Sequence, residues 1–345
     1  MRVDMDKSFR PSSWLASRHL QSMAAHLPSR RGWVIPSATP VLRASREILL
    51  DCGEGVRLQA FYAPASGGDG RVAVLLHGWE GSADSTYVLA LAQQLYDRGF
   101  DIVRLNLRDH GATHHLNREL FHSCRLPEVV GAMRRIQLLF PGKPLHLAGF
   151  SLGGNFMLRV AAQAEQAGLD LAKVVAISPV LDPVATLAAL ERGFPLYHWY
   201  FVRKWTRSLS IKQSAWPRDY DFAALKGTGI RGMTEELVRR FTEFDTLTDY
   251  LNGYAITGSR LAQLSVPSTI ILSLDDPIIP ARDVEHLAPS SALRVVLTRR
   301  GGHCGFIERI AGWSWAERRA AAELDAAPLP VAAALSSEAR ASLRS

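Results

Sequence analysis

A serine at its free pKa is a weak nucleophile, so one that does covalent chemistry needs a base, an acid to orient the base, and donors for the charge that develops. Candidates for all of these lie in this chain. Gly149-Phe150-Ser151-Leu152-Gly153-Gly154 follows a short apolar run and precedes an amphipathic one. Small residues two positions either side of Ser151 fit a sharp strand-to-helix turn, which lifts the hydroxyl above a sheet and sets it at a helix N-terminus. Leu274-Asp275-Asp276-Pro277 places two carboxylates just beyond another apolar run, and Gly301-Gly302-His303-Cys304-Gly305 carries a histidine on a flexible glycine loop. In Leu75-Leu76-His77-Gly78-Trp79, Gly78 lets the main chain come close. The backbone amides of Trp79 and Leu152 are the candidate oxyanion donors. Taken singly, these fragments also read as a glycine-rich turn, an Asx turn before proline and a loop histidine. In the order serine, aspartate, histidine they read as acyl-transfer machinery.

Two other groups carry less. His110, His114, His115 and His122 lie in a segment with the polarity of a surface loop and lack a carboxylate or thiolate set, so no metal site is expected. Cys304 adjoins the candidate base but lacks a strand-to-helix turn to present it, and reads as an incidental thiol. Three cysteines, Cys52, Cys124 and Cys304, are too scattered for a disulfide framework.

The elements that must position these residues follow from periodicity. Arg46–Asp51 and Val56–Tyr62 read as a hairpin. From Arg71 onward, short apolar strands alternate with helical segments: strands at Val72–Leu76, Ile102–Leu107, Leu145–Ala148 and Val174–Ile177, and helices at Thr86–Arg98, Leu126–Phe140 and Leu152–Ala164. This alternation predicts an α/β fold with a mostly parallel central sheet and helices on both faces. Between Asp182 and roughly Leu264 the alternation stops and helical stretches take over, with Thr234 a candidate cap for a helix starting at Glu235. Strands return at Thr269–Ser273 and Arg294–Leu297, and a helix begins near Trp313. The expected organisation is an N-terminal extension packing on the core over 1–41, a core over 42–181 and 265–324, a helical lid inserted at 182–264, and a flexible tail over 325–345.

The chain has 345 residues, 47% of them hydrophobic and 21% charged, which suits a globular protein with a large core and excludes whole-chain disorder or coiled coil. Forty basic and 33 acidic residues leave a formal charge of +7, spread along the chain, so no nucleic-acid partner is expected. No run approaches the roughly 18 consecutive apolar residues of a membrane span, and no apolar leader core is visible near Met1. The expected compartment is the cytoplasm.

With these motifs in hand, the chain resembles the α/β-hydrolase superfamily from about Leu42 to Leu324, and within it the YheT-like branch. The narrower likeness rests on Phe9-Arg10-Pro11, Trp14-Leu15, His19-Leu20-Gln21-Ser22, Leu274-Asp275-Asp276-Pro277 and Gly301 to Phe306. Arg18, and the loop Arg108-Asp109-His110-Gly111, depart from the branch's usual pattern. The resemblance implies an α/β-hydrolase fold and a carboxylic ester hydrolase without a cofactor. Ser151 would be the nucleophile, His303 the base, and Asp276 the orienting acid, with Asp275 in reserve. The substrate implied is a small-molecule acyl ester or lipid; an acyltransferase or thioesterase using the same acyl-enzyme, and a non-catalytic ligand-binding relative, are the alternatives. Nine of the chain's aromatic residues fall between Phe194 and Phe222, either docking the insertion or lining an apolar acyl pocket. Arg203, Lys204 and Arg207 among them would touch an anionic headgroup or stay in water.

Overall fold

The computed structural model describes residues 1–25, 27–225 and 227–326. The expected tail lies outside the described residues from 327 onward. Nine strands form one sheet: β1 (Arg2–Met5), β2 (Arg46–Asp51), β3 (Arg57–Ala63), β4 (Val72–Leu76), β5 (Asp101–Leu105), β6 (Leu145–Phe150), β7 (Leu171–Ile177), β8 (Ser268–Ser273) and β9 (Leu293–Thr298). Their spatial order is β1-β9-β8-β7-β6-β4-β5-β3-β2. Only β3 runs antiparallel to its neighbours β2 and β5. The remaining pairs are parallel, which brings the carboxyl ends of β4, β6, β7, β8 and β9 to one edge. From β4 the chain goes to β5 on one side and returns to β6 on the other, and ligands in open α/β sheets bind at such a switch.

The helices that cover the sheet are α1 (Arg18–Ala24), α2 (Pro28–Ser37), α3 (Thr39–Ala44), α4 (Thr86–Tyr96), α5 (Leu126–Leu139), α6 (Leu152–Ala162), α7 (Ala164–Ala167) and α12 (Trp315–Asp325). Alternation along the strands decides which side chain meets which helix. Val72, Val74 and Leu76 of β4 join the core beneath α5 and α6. Ala73 and Leu75 point the other way, into the core with α4 and α12. Both faces are dry, which is why the parallel strands read as continuous apolar runs.

Between β7 and β8 stand α8 (Pro183–Arg192), α9 (Pro195–Ala215), α10 (Gly229–Phe241) and α11 (Leu247–Gly253). Thr234 does not cap a helix there. It lies inside α10, its hydroxyl donating to the Ile230 carbonyl, because the helix begins a turn and a half earlier at Gly229. Among the described residues, no helix is long and apolar enough to cross a membrane.

The N-terminal segment does more than pack on the core. Arg2-Val-Asp-Met pairs in parallel with β9 and becomes an edge strand, its one inward apolar residue, Val3, fully buried. Farther along, α2 is tied to α12 by Arg30, whose guanidinium meets both Glu317 carboxylate oxygens at 2.7 and 2.8 Å with both side chains buried. Ser314 and Glu317 complete a capping box at the start of α12. Removing one partner of a buried pair leaves the other charge uncompensated. Arg30→Ala is expected to lower unfolding free energy by about 3–5 kcal/mol, read as a fall in the urea midpoint with unchanged slope.

Candidate active site

Between the last residue of β6 and the first of α6 the chain turns on Ser151, held at φ 51° and ψ −120°. A side-chain-bearing residue pays strain in this region, and the surroundings hold it there. The Ser151 amide donates to Ile177 on β7 at 2.9 Å, and its carbonyl accepts from Asn155. The flanking glycines are steric necessities. A Cβ on Gly149 would sit 2.3 Å from the Gly153 carbonyl oxygen, and one on Gly153 would sit 2.3 Å from that of His77. Strand, helix and the loop after β4 therefore meet with no room for a methyl group.

The three side chains singled out from the sequence come together. Ser151 Oγ lies 3.0 Å from His303 Nε2, and His303 Nδ1 lies 3.0 Å from Asp276 Oδ2. The other Asp276 oxygen accepts from the amides of Ile278 and Ile279, each at 2.9 Å. With Nδ1–H facing a carboxylate, Nε2 is left as the acceptor for the serine hydroxyl. Asp275 points elsewhere: its carboxylate accepts from the Gly302 amide at 3.0 Å, and burial raises its pKa. The order of the two carboxylates is thus resolved by the turn after β8, which sends Asp276 inward and leaves Asp275 bracing the histidine loop. That loop is not the flexible glycine stretch the sequence suggested. Residues 301–307 are all buried and coiled through positive φ at Gly302, Cys304 and Phe306.

Burial is the largest influence on His303 and disfavours its charged ring. The Asp276 charge opposes it, followed by Cys304 and the hydrogen bond to Asp276, and the balance lies well above the ordinary histidine value. Asp276 itself has a fully buried side chain behind the imidazole. Its replacement by asparagine removes the largest raising influence, leaving only Cys304 to oppose desolvation. The His303 titration, followed by imidazole NMR, is expected above 6.5 in the native chain and to move down in Asp276→Asn.

On the other flank of Ser151, a Cβ on Gly78 would stand 3.2 Å from the serine's own Cβ, so the loop after β4 presses against the elbow. His77 is fully buried; its Nδ1 donates to the Gly78 carbonyl at 2.7 Å and its Nε2 accepts from the Leu107 amide. Burial pushes its pKa down to about 4, so the ring is a neutral strut. Tyr87 holds the Gly78 amide at 3.1 Å. Trp79 follows, stacked on Phe201 and edge-on to Trp205 of α9. Trp79 and Leu152, the latter opening α6, both line the cavity in front of Ser151.

That cavity holds about 590 Å³ and contains Ser151 and His303 in its wall. Leu187 and Leu190 of α8, Phe201 and Trp205 of α9, and Leu237 and Phe241 of α10 form its apolar side. The aromatic cluster divides between the two expected uses: Tyr200, Phe201 and Trp205 face the cavity, whereas Tyr220 and Phe222 pack with Phe241 in a core between α9 and α10. Of the three cations, Lys204 donates to the Glu80 carbonyl at 2.9 Å and Arg203 lies over the Trp199 ring.

Reading His110 to His122 as a surface loop holds only in part: His115, with Gly111, Ala112, Arg118 and Glu119, is exposed, but the other three histidines are not. His110, His114 and His122 are at most 8% exposed, covered by the helices that follow β7. Polar residues of the segment and of the turn before it bond to partners elsewhere: Arg108 meets Glu128, Asn117 pairs with both backbone groups of Arg57, and Asp109 accepts from Lys212 of α9 at 2.8 Å. Lys212 is fully buried and also donates to the carbonyls of Asn117 and Glu119. Sequence reading missed Glu80 as a cavity residue as well. Burial lifts its carboxyl to about 7, helped by Asp109 and opposed by Lys204. No periodicity marks such contacts; only the partner segment, some 100 residues away, does.

A family model of the alpha/beta hydrolase fold matches residues 72–204. Fold and match together give the chain an α/β-hydrolase fold. In sequence it is YheT-like, being 28% identical over 316 residues to the "Putative esterase YheT" of Escherichia coli (strain K12), across 87% of each chain. It is also 24% identical over 246 residues to Phospholipase ABHD3 of Homo sapiens, covering 69% of this chain and 59% of that protein. The structure of the Pyrococcus furiosus esterase Pf2001 is similar with a TM-score of 0.52, covering 81% of this chain and 91% of that one at 14% identity, a likeness of fold.

Packing at the elbow yields a second expectation. Gly153→Ala must push α6 off the His77 loop, so a backbone shift costing about 1–3 kcal/mol is expected. The check is thermal unfolding beside Gly168→Ala, where a Cβ meets nothing within 4 Å and only a positive φ is strained.

Proposed function

We propose that the chain is a serine hydrolase that cleaves carboxylic esters, short- to medium-chain acyl esters or lipids, through an acyl-enzyme on Ser151. The observation that carries the reading is the unbroken hydrogen-bonded series Asp276, His303, Ser151 ending at a large, partly apolar cavity. Relatives whose names describe an esterase and a phospholipase support it.

In the proposed reaction His303 Nε2 takes the Ser151 proton as Oγ attacks the ester carbonyl. The tetrahedral oxyanion is held by the Trp79 and Leu152 amides, the latter at the N-terminus of α6 where the helix dipole favours negative charge. His303 returns the proton to the leaving alcohol, leaving Ser151 acylated. Water, deprotonated by His303, then releases the acid and restores the hydroxyl. Asp276 stays ionised throughout and keeps Nδ1 protonated. Residues 182–264 act as a lid whose apolar residues Leu187, Leu190, Leu237 and Phe241 receive the acyl chain. Seating a chain there removes apolar surface from water at about 25 cal/mol per Å².

Ser151→Ala is expected to lower p-nitrophenyl ester turnover by about 10³-fold or more and to abolish fluorophosphonate labelling, with the fold kept by circular dichroism. Wild-type rates in that variant would end the proposal. Because the base must be neutral and its pKa is raised, kcat/KM is expected to fall as pH drops, with an acid limb centred above 6.5. Across a series of esters, turnover should peak at short to medium chains; activity confined to acetyl esters would contradict the acyl pocket.

A further inference from the structure

The loop that carries His303 cannot satisfy its own backbone. Gly302, Cys304 and Phe306 all have positive φ, and one bond, from the Phe306 amide to the Gly301 carbonyl, closes the turn internally. The remaining buried groups need partners from elsewhere, since each left unpaired is costly. Asp275, Ser273, Ser178 and Trp315 supply some, and two adjacent residues of α1 supply the partners of His303 and Ile307. Ser22 Oγ accepts from the His303 amide at 2.8 Å and donates to the Arg18 carbonyl at 2.8 Å. Gln21 accepts from the Ile307 amide at 2.6 Å, and its amide nitrogen donates to the carbonyls of Ile307 at 2.8 Å and Leu15 at 2.7 Å. Gln21 is fully buried.

The fit is as close as the bonding. A Cβ on Gly302 would lie 2.4 Å from the Arg18 carbonyl oxygen and 2.6 Å from Ser22 Oγ, and one on Gly305 would lie 2.5 Å from the Gln21 carbonyl oxygen. Gly302 and Gly305 are therefore seated against the backbone of α1. The same helix touches the helical segment over the cavity, with His19 Nδ1 3.1 Å from the Tyr197 hydroxyl and the His19 ring 4.9 Å from that of Phe194.

We infer that Gln21 and Ser22 are positioning residues for the reaction, holding the His303 backbone so that its imidazole spans Ser151 and Asp276. The inference rests on the hydrolase reading above. A proton-transfer group loses about 10²-fold in rate for a displacement near 1 Å, so loosening the His303 amide weakens chemistry before it weakens substrate binding.

The test uses the full-length chain and the variants Ser22→Ala and Gln21→Glu, the latter keeping shape and acceptor while removing the donor. Val34→Ala, in α2 and remote from the loop, serves as a stability control. Each Ser22 and Gln21 variant is expected to lower kcat on a p-nitrophenyl ester, and the rate constant of fluorophosphonate labelling, by about 10–100-fold with KM within about twofold. Val34→Ala should lower Tm and keep kcat. In Ser22→Ala the imidazole NMR titration of His303 should move down, because a loosened ring loses part of the Asp276 charge. Wild-type kcat and labelling in both variants would overturn the inference, as would a loss that merely follows Tm as in Val34→Ala. Failure of the wild-type chain to label at Ser151 would instead overturn the hydrolase reading. The His303 titration then still decides this proposal: an unmoved value in Ser22→Ala sinks it.

Discussion

A non-glycine residue at φ 51° between a strand and a helix is the constraint on which the rest of this molecule turns. Such backbone costs of order 1–3 kcal/mol and persists only where its surroundings over-determine it. Here β6 is locked between β4 and β7, and α6 is pressed so close to the β4 loop that Gly153 admits no Cβ. The large burial on both faces of the sheet holds a strained turn, and the strained turn lifts one hydroxyl above the sheet edge. Parallel pairing then brings the ends of β8 and β9 to the same edge, so that residues more than 100 positions apart in the chain become neighbours.

What those neighbours do chemically depends on dryness. Asp276 has no solvent of its own; two backbone amides and one imidazole satisfy its carboxylate. In that setting its charge and hydrogen bond, together with Cys304, outweigh the desolvation that would otherwise lower the His303 pKa. His77, equally buried but facing only backbone partners, goes the other way. The two buried histidines are thus shifted in opposite directions because one faces a carboxylate and the other does not.

The helices between β7 and β8 are fastened to the core by polar anchors as much as by apolar contact. Lys212 reaches through α9 to Asp109 and two carbonyls, while Trp79 meets Phe201 and Trp205 across the cavity mouth. Burying an ammonium is unfavourable unless it is paired and fully hydrogen-bonded, and here it is. This explains why the segment from Arg108 to Ser123 buries so many polar side chains: they are one half of an interface whose other half lies in another part of the chain.

Much of this was legible in the sequence. Periodicity located the strands and helices around the sheet to within a few residues, and the glycine spacing about Ser151 marked the elbow, because local sterics and a two-faced core act on neighbouring residues. The spacing could rank neither Asp275 against Asp276 nor the fate of the His110 segment, and it did not reveal β1 or the start of α10. Each of these depends on a partner distant in sequence: β9 for Arg2–Met5, α9 for Asp109, the turn after β8 for the two carboxylates. Local pattern by itself determined which elements form and where the Ser151 hydroxyl would stand, since steric and hydrophobic preferences repeat with the period of the backbone. Tertiary structure alone decided which charged and polar groups face one another, since hydrogen bonds and Coulomb interactions depend on separations of a few ångströms that no spacing along the chain encodes.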